Sequence, residues 1–202
     1  MKTSLLVLFA LVAGISSGKL GLFKPAGDPA IAEILLYVLL FFIALNLGLS
    51  SKKLKTHMRL SYHDVLVPVL VAAGSLAGAW AASLVMNGRY NALEVMAVGS
   101  GFGYYSLSSI LIMEISGNEL AMLALIANLF REMTTLVFSP LFARLLGGLA
   151  PVASGGATAM DTSLPVIVKS SGKAYTITSI ISGIILSMLV PFIIPLILSF
   201  NK

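Results

Sequence analysis

"VASGGATAMDTSLPVIV", residues 152–168, lies between long apolar runs and is built unlike them. It holds two adjacent glycines, two threonines, a proline and one carboxylate, Asp161. Glycine weakens a helix through its conformational freedom, and Pro165 removes a backbone donor. The segment therefore reads as a broken or re-entrant helical stretch over residues 152–170, with a charge placed at the break.

The chain around it sets the solvent. Of 202 residues, 58% are hydrophobic and only 10% are charged. The mean hydropathy is +1.00. Soluble domains carry roughly 25% charged residues, so this chain belongs in lipid. It has no cysteine, which excludes disulfides and thiolate metal sites. His57 and His63 lie in a polar loop with no metal-ligand spacing. The net charge of +5 reflects loop bias in a membrane protein rather than nucleic-acid binding.

Apolar runs predict spans over residues 3–22, 30–49, 64–86, 92–113, 119–146 and 175–200. Residues 3–18 also fit a signal peptide, with Lys2 ahead of them and "GISSGK" behind. The retained helix is favoured, because nothing else resembles a secreted domain. Asp28 and Pro29 suit the start of the second span. Pro140 is expected to interrupt the fifth span, and Pro191 and Pro195 to bend the last. Gly14 and Gly18, and again Gly74 and Gly78, have the spacing of close helix packing. The expected fold is an all-α integral membrane protein of about six transmembrane helices plus the irregular segment, forming one transporter domain over residues 1–202. Lys52, Lys53, Lys55 and Arg59 make the loop before the third span cytoplasmic.

Charges at membrane depth are costly and by default mark function or a compensated pair. Besides Asp161, two polar clusters qualify. In "VGSGFGYYSLSSILIMEISG", residues 98–117, Gly99, Gly101 and Gly103 alternate and are followed by Tyr104, Tyr105, Ser106, Ser108 and Ser109. Irregular backbone at depth needs protein or a watery cavity around it, so residues 99–106 are expected to line one. In "IANLFREMTTLVFSP", Asn128, Arg131, Glu132, Thr135 and Ser139 fall in one helical stripe turned from lipid. A buried Arg131–Glu132 pair that only fixes packing is the plain alternative. Being adjacent, the two point about 100° apart and each is expected to find a partner on another segment. Asp161 suits a cationic ligand or a proton. A salt bridge to Arg131 is the alternative there.

"SGFGYYSLSSIL", Glu114 with Gly117, "N-x-x-RE" at Asn128, Arg131 and Glu132, and "GATAMDTSLPV" together resemble the LysO-type lysine exporters. The resemblance covers essentially the whole chain and the C-terminal part of a full-length family member. It implies export of L-lysine and lysine analogues across the cytoplasmic membrane, with no enzymatic activity and no cofactor. Asp161 falls on the acid of the family's G-A-T-x-M-D motif. Full-length members have a further N-terminal half. Its counterpart here is expected to be a separate small membrane subunit, or the chain acts alone or as a homodimer.

The expected substrate- or proton-binding residues are Asp161, Thr158, Asn128, Arg131, Glu132, Glu114, Ser100, Gly101, Gly103, Tyr105 and Ser106. Lysine's ammonium is a compact cation suited to a carboxylate. Its own carboxylate would meet Arg131 or a half-helix N-terminus. A proton competing for Asp161 gives a route to lysine–proton exchange. An intramembrane aspartyl protease is disfavoured, since no two aspartates occur in protease contexts. A channel is disfavoured by the lack of a filter sequence. A non-transporting scaffold subunit is the remaining alternative.

Overall fold

The computed structural model of the chain describes residue 16, residues 62–86 and residues 88–201. The spans expected at 3–22 and 30–49, Gly14, Gly18 and most of the basic loop lie outside the described residues. The described helices belong to one compact unit, His57–Lys202.

Three of them are long and apolar enough to cross a membrane. They are α1 (Tyr62–Val85), α4 (Asn118–Leu146) and α7 (Thr176–Ser199), of 24, 29 and 24 residues. At about 1.5 Å per residue each exceeds the roughly 30 Å hydrocarbon core. Between them lie short helices: α2 (Ala92–Gly99), α3 (Tyr105–Ser116), α5 (Leu149–Gly155) and α6 (Leu164–Ser171). Their 7 to 12 residues reach roughly 10–18 Å, about half of the core. Of the four spans expected within the described residues, three are full-length, and two pairs of half-length helices lie between them.

Hydrogen bonds fix which ends lie together. Thr178, near the start of α7, donates to Asp64, near the start of α1, at 2.6 Å. At the far ends, Asn91 and Glu94 of the α1–α2 region accept or donate bonds with Asn201, just past α7. So α1 and α7 run parallel. Glu119, at the start of α4, takes bonds from Arg89 and Tyr90 at 3.3 and 2.7 Å. The α4 helix thus starts at the far end and returns toward the Asp64 end. The Arg89–Glu119 ion pair is mostly exposed, so solvent screens it and it marks topology more than it adds stability.

The short helices consequently form two re-entrant hairpins. The chain enters from the Glu119 end along α2, turns at Ser100–Tyr104, and leaves along α3 to the same end. From the Asp64 end it enters along α5, continues as a 3₁₀ turn over Gly156–Met160, and leaves along α6. A capping box at Asn91 and Glu94 starts α2 sharply. Pro165 sits in the first turn of α6, where its missing N–H costs nothing. The broken segment expected at 152–170 is this second hairpin.

Three expectations are corrected. Residues 92–113 are not one continuous span: Phe102 and Gly103 adopt φ of +49° and +96°, which ends α2 and reverses the chain. Pro140 does not interrupt α4, which is helical on both sides of it. Burial of the helix's polar face keeps it continuous, and only the Leu136 carbonyl loses a partner. Pro191 and Pro195, expected to bend the last span, lie inside α7. Gly74 and Gly78 have nothing within 4 Å of where a Cβ would stand, so neither is a packing contact among the described residues.

The hairpin tips meet at mid-depth. Ala157 N–H donates to the Phe102 carbonyl at 2.9 Å. Gly156 has φ +59°, and a Cβ there would run into that carbonyl oxygen. Gly156→Ala should lower stability by about 1–3 kcal/mol, from the left-handed backbone and the forced separation of the tips. A detergent melting curve reads this. An unaltered curve would show that the tips need no close contact.

Candidate substrate site

The polar stripe of α4 faces both tips. Asn128, Glu132, Thr135 and Ser139 are buried, while Phe130, Val137 and Leu145 on the other face are exposed. This is the arrangement expected from the spacing, and lipid explains the exposed apolar side.

Asn128 serves the first tip. Its Oδ1 accepts from Gly103 N–H at 2.8 Å. Its Nδ2 donates to the Val98 and Ala124 carbonyls at 3.0 and 2.9 Å. One amide thus satisfies a carbonyl near the end of α2 and an amide in the turn before α3. Gly101 fits against Asn128 and Ser108 with no space for a Cβ, and Gly103 approaches the Gly155 carbonyl. The glycine alternation is required by these approaches. Ser100 is fully buried and donates to Ala97 O at 2.7 Å.

Arg131 serves the second tip. Its guanidinium donates to Ala153 O and Ser154 O, both at 3.0 Å, and to Ser75 Oγ of α1 at 2.7 Å. The two carbonyls are the unpaired C-terminal groups of α5, where a cation is favoured by the helix dipole. Thr135 shares a 2.7 Å bond with Ser154 Oγ. Arg131 has no carboxylate partner among the described residues, so neither the Arg131–Asp161 bridge nor the Arg131–Glu132 pair is formed.

Asp161 and Thr162 lie at the second tip and are exposed. Asp161 accepts from its neighbour's backbone N–H at 2.5 Å, leaving most of its acceptor capacity free. Glu132 is 3% exposed and lies within reach of the Thr162 side chain. Thr162 also donates to Asp161 Oδ1 at 3.3 Å, so this one hydroxyl lies beside both carboxylates. Tyr104 and Tyr105 are half-buried at the start of α3, in the other hairpin. The start of α3 beside them has no side-chain cap.

Of the expected site residues, the structure brings Asp161 and Glu132 to one side chain, Thr162. Thr158 is turned inward, bonded to Gly155 O and Ser163 Oγ at 2.9 and 2.8 Å, and holds the tip together. Ser106 is half-buried in the first turn of α3 and takes Ser109's hydroxyl on its carbonyl. Glu114 is exposed, roughly 14 Å along α3 from Tyr105, and is not brought to the cluster. Sequence reading missed Ser75, Ser154 and Thr162. Only Ser75 gave a signal, as a lone hydroxyl in the apolar run "VAAGSLAG".

A family model described as Lysine exporter LysO matches residues 8–198. The chain belongs to the LysO lysine exporter family. Lysine exporter LysO of Escherichia coli (strain K12) is 32% identical over 191 residues, which are 95% of this chain and 62% of that protein. The chain therefore spans about three-fifths of that relative's length. A relative from Haemophilus influenzae, provisionally named a lysine exporter, is 30% identical over 165 residues, 82% of this chain and 83% of its own length. No solved structure matches the chain. The family match takes in α1 to α7 and both tips, so the carboxylate cluster lies within the shared region.

Proposed function

We propose that the chain is a multi-pass cytoplasmic-membrane transporter that exports L-lysine and similar cationic amino acids in exchange for protons. The observation that carries this reading is the convergence of Asp161 and Glu132 where two broken hairpins meet. Half-helices that end at mid-depth are the usual material of secondary-transporter sites. The ammonium of lysine would lie between the two carboxylates. Its carboxylate would meet the uncapped start of α3, since the donors of Arg131 are already engaged by Ser75, Ala153 and Ser154. A proton on Asp161 would compete with lysine, which gives the exchange its route.

The basic loop before α1 would place the Asp64 end in the cytoplasm. Arg144, Lys169 and Lys173 lie at that same end, against Arg89 at the other, among the described residues.

Vesicles loaded with labelled lysine test the reading. Lysine should leave in exchange for protons. A well-inserted protein that moves no lysine would leave the scaffold role instead.

A further inference from the structure

We propose that α1 with hairpin α2–α3 and α4 with hairpin α5–α6 are the two units of an inverted repeat, and that Ser75 is a positioning residue at its axis. The inference rests on the transporter reading for its purpose, though not for its geometry. Each unit is one full span followed by a hairpin that enters from the side where the span ends. The first span runs from the Asp64 end to the Glu119 end, and the second runs back. Units so related are exchanged by a two-fold axis in the membrane plane.

Two observations locate that axis. Ser75 lies seventeen residues before the first residue of α2, and Arg131 lies eighteen before the first residue of α5, the helices that open the two hairpins. These equivalent positions are joined by the 2.7 Å hydrogen bond, as residues flanking a two-fold axis must be if they touch. The hairpin tips, bonded through Ala157 and Phe102, are the other equivalent pair in contact.

Two cavities follow the same relation. One of about 440 Å³ lies between α1, α4 and α5, and Val67, Leu149 and Ala150 line it toward the Asp64 end. The other, about 260 Å³, lies between α1, α4 and α2, and Ala82 and Val95 line it toward the Glu119 end. Exchanging the units carries one cavity onto the other. Ser75 and Arg131 belong to both walls, so their bond separates the two. A symmetric arrangement would make the volumes equal. Their inequality marks one of two states, open toward the Asp64 end, and the second state is the same arrangement with the units' roles reversed. Arg131 is bonded to α5 of its own unit, so Ser75 is the group that ties it to the other unit in this state.

The chain has no cysteine, so a single introduced thiol is unambiguous. Ala150→Cys and Ala82→Cys variants of the full chain are alkylated with a membrane-impermeant maleimide in right-side-out and inverted vesicles. The thiol at position 150 should react faster, and only from the Asp64 side. Adding Ser75→Ala should slow it and speed the thiol at position 82, each by about fivefold, the shift for losing one hydrogen bond made in one state alone. Ser75→Thr, which keeps the hydroxyl, should leave both rates near the parent's. Where Ser75→Ala is not recovered in membranes, Ser75→Gly replaces it. Rates that stay fixed, or that rise or fall together, overturn the inverted-repeat proposal. Lysine is absent throughout, and efflux from the same vesicles separately judges the export reading.

Discussion

Asp161→Asn is expected to remove nearly all lysine efflux while leaving the protein folded and inserted. The substitution keeps size and deletes the charge. Asp161 is exposed at the second tip and bonded only to Thr162 beside it, so the described packing loses little. A charge-assisted contact is worth about 1.5–3 kcal/mol, so efflux should fall about 10- to 100-fold. Glu132→Gln should act in the same direction. It should also alter the pH dependence of the remaining efflux, since one of two interacting acids is gone and the site titrates as a single group. Counterflow of labelled lysine in vesicles, with expression checked by immunoblot, measures both. Near-parental efflux from Asp161→Asn would remove this residue from the binding site.

Arg131→Gln should instead damage the fold. The guanidinium is tied to three groups on two other helices, and two of these are the end carbonyls of α5. Losing these bonds at membrane depth should cost about 3–5 kcal/mol, because the carbonyls have no water to turn to. The detergent melting temperature and transport should fall together. Arg131→Lys keeps the charge but lacks the planar fork that reaches Ala153, Ser154 and Ser75 at once, so it should recover only part of the melting temperature. Unchanged melting with lost transport in Arg131→Gln would place Arg131 in the substrate path and contradict its role as a brace.

The different expectations for two charged neighbours, Arg131 and Glu132, come from tertiary placement. Both belong to the same stripe of α4, and local spacing alone says only that the stripe avoids lipid. Which one braces a hairpin and which one faces the other carboxylate depends on segments 23 to 56 residues away in sequence, among them Ser154 and Ser75.

Composition and periodicity by themselves determined the solvent, the helical class, the three long described spans and the break at residues 152–170. These follow from hydropathy and from the local chemistry of glycine and proline, which act within a few residues. The motifs also determined the family. Tertiary structure alone decided that residues 92–116 turn back rather than cross, because a Phe102 with positive φ is stable only when Asn128 and the opposing tip hold it. It decided as well that Glu114 stands apart from the site although it belongs to the same motif. Hydropathy cannot distinguish a half-crossing hairpin from a span. Both bury the same apolar area in lipid, and they differ only in which distant polar groups satisfy the backbone at the turn.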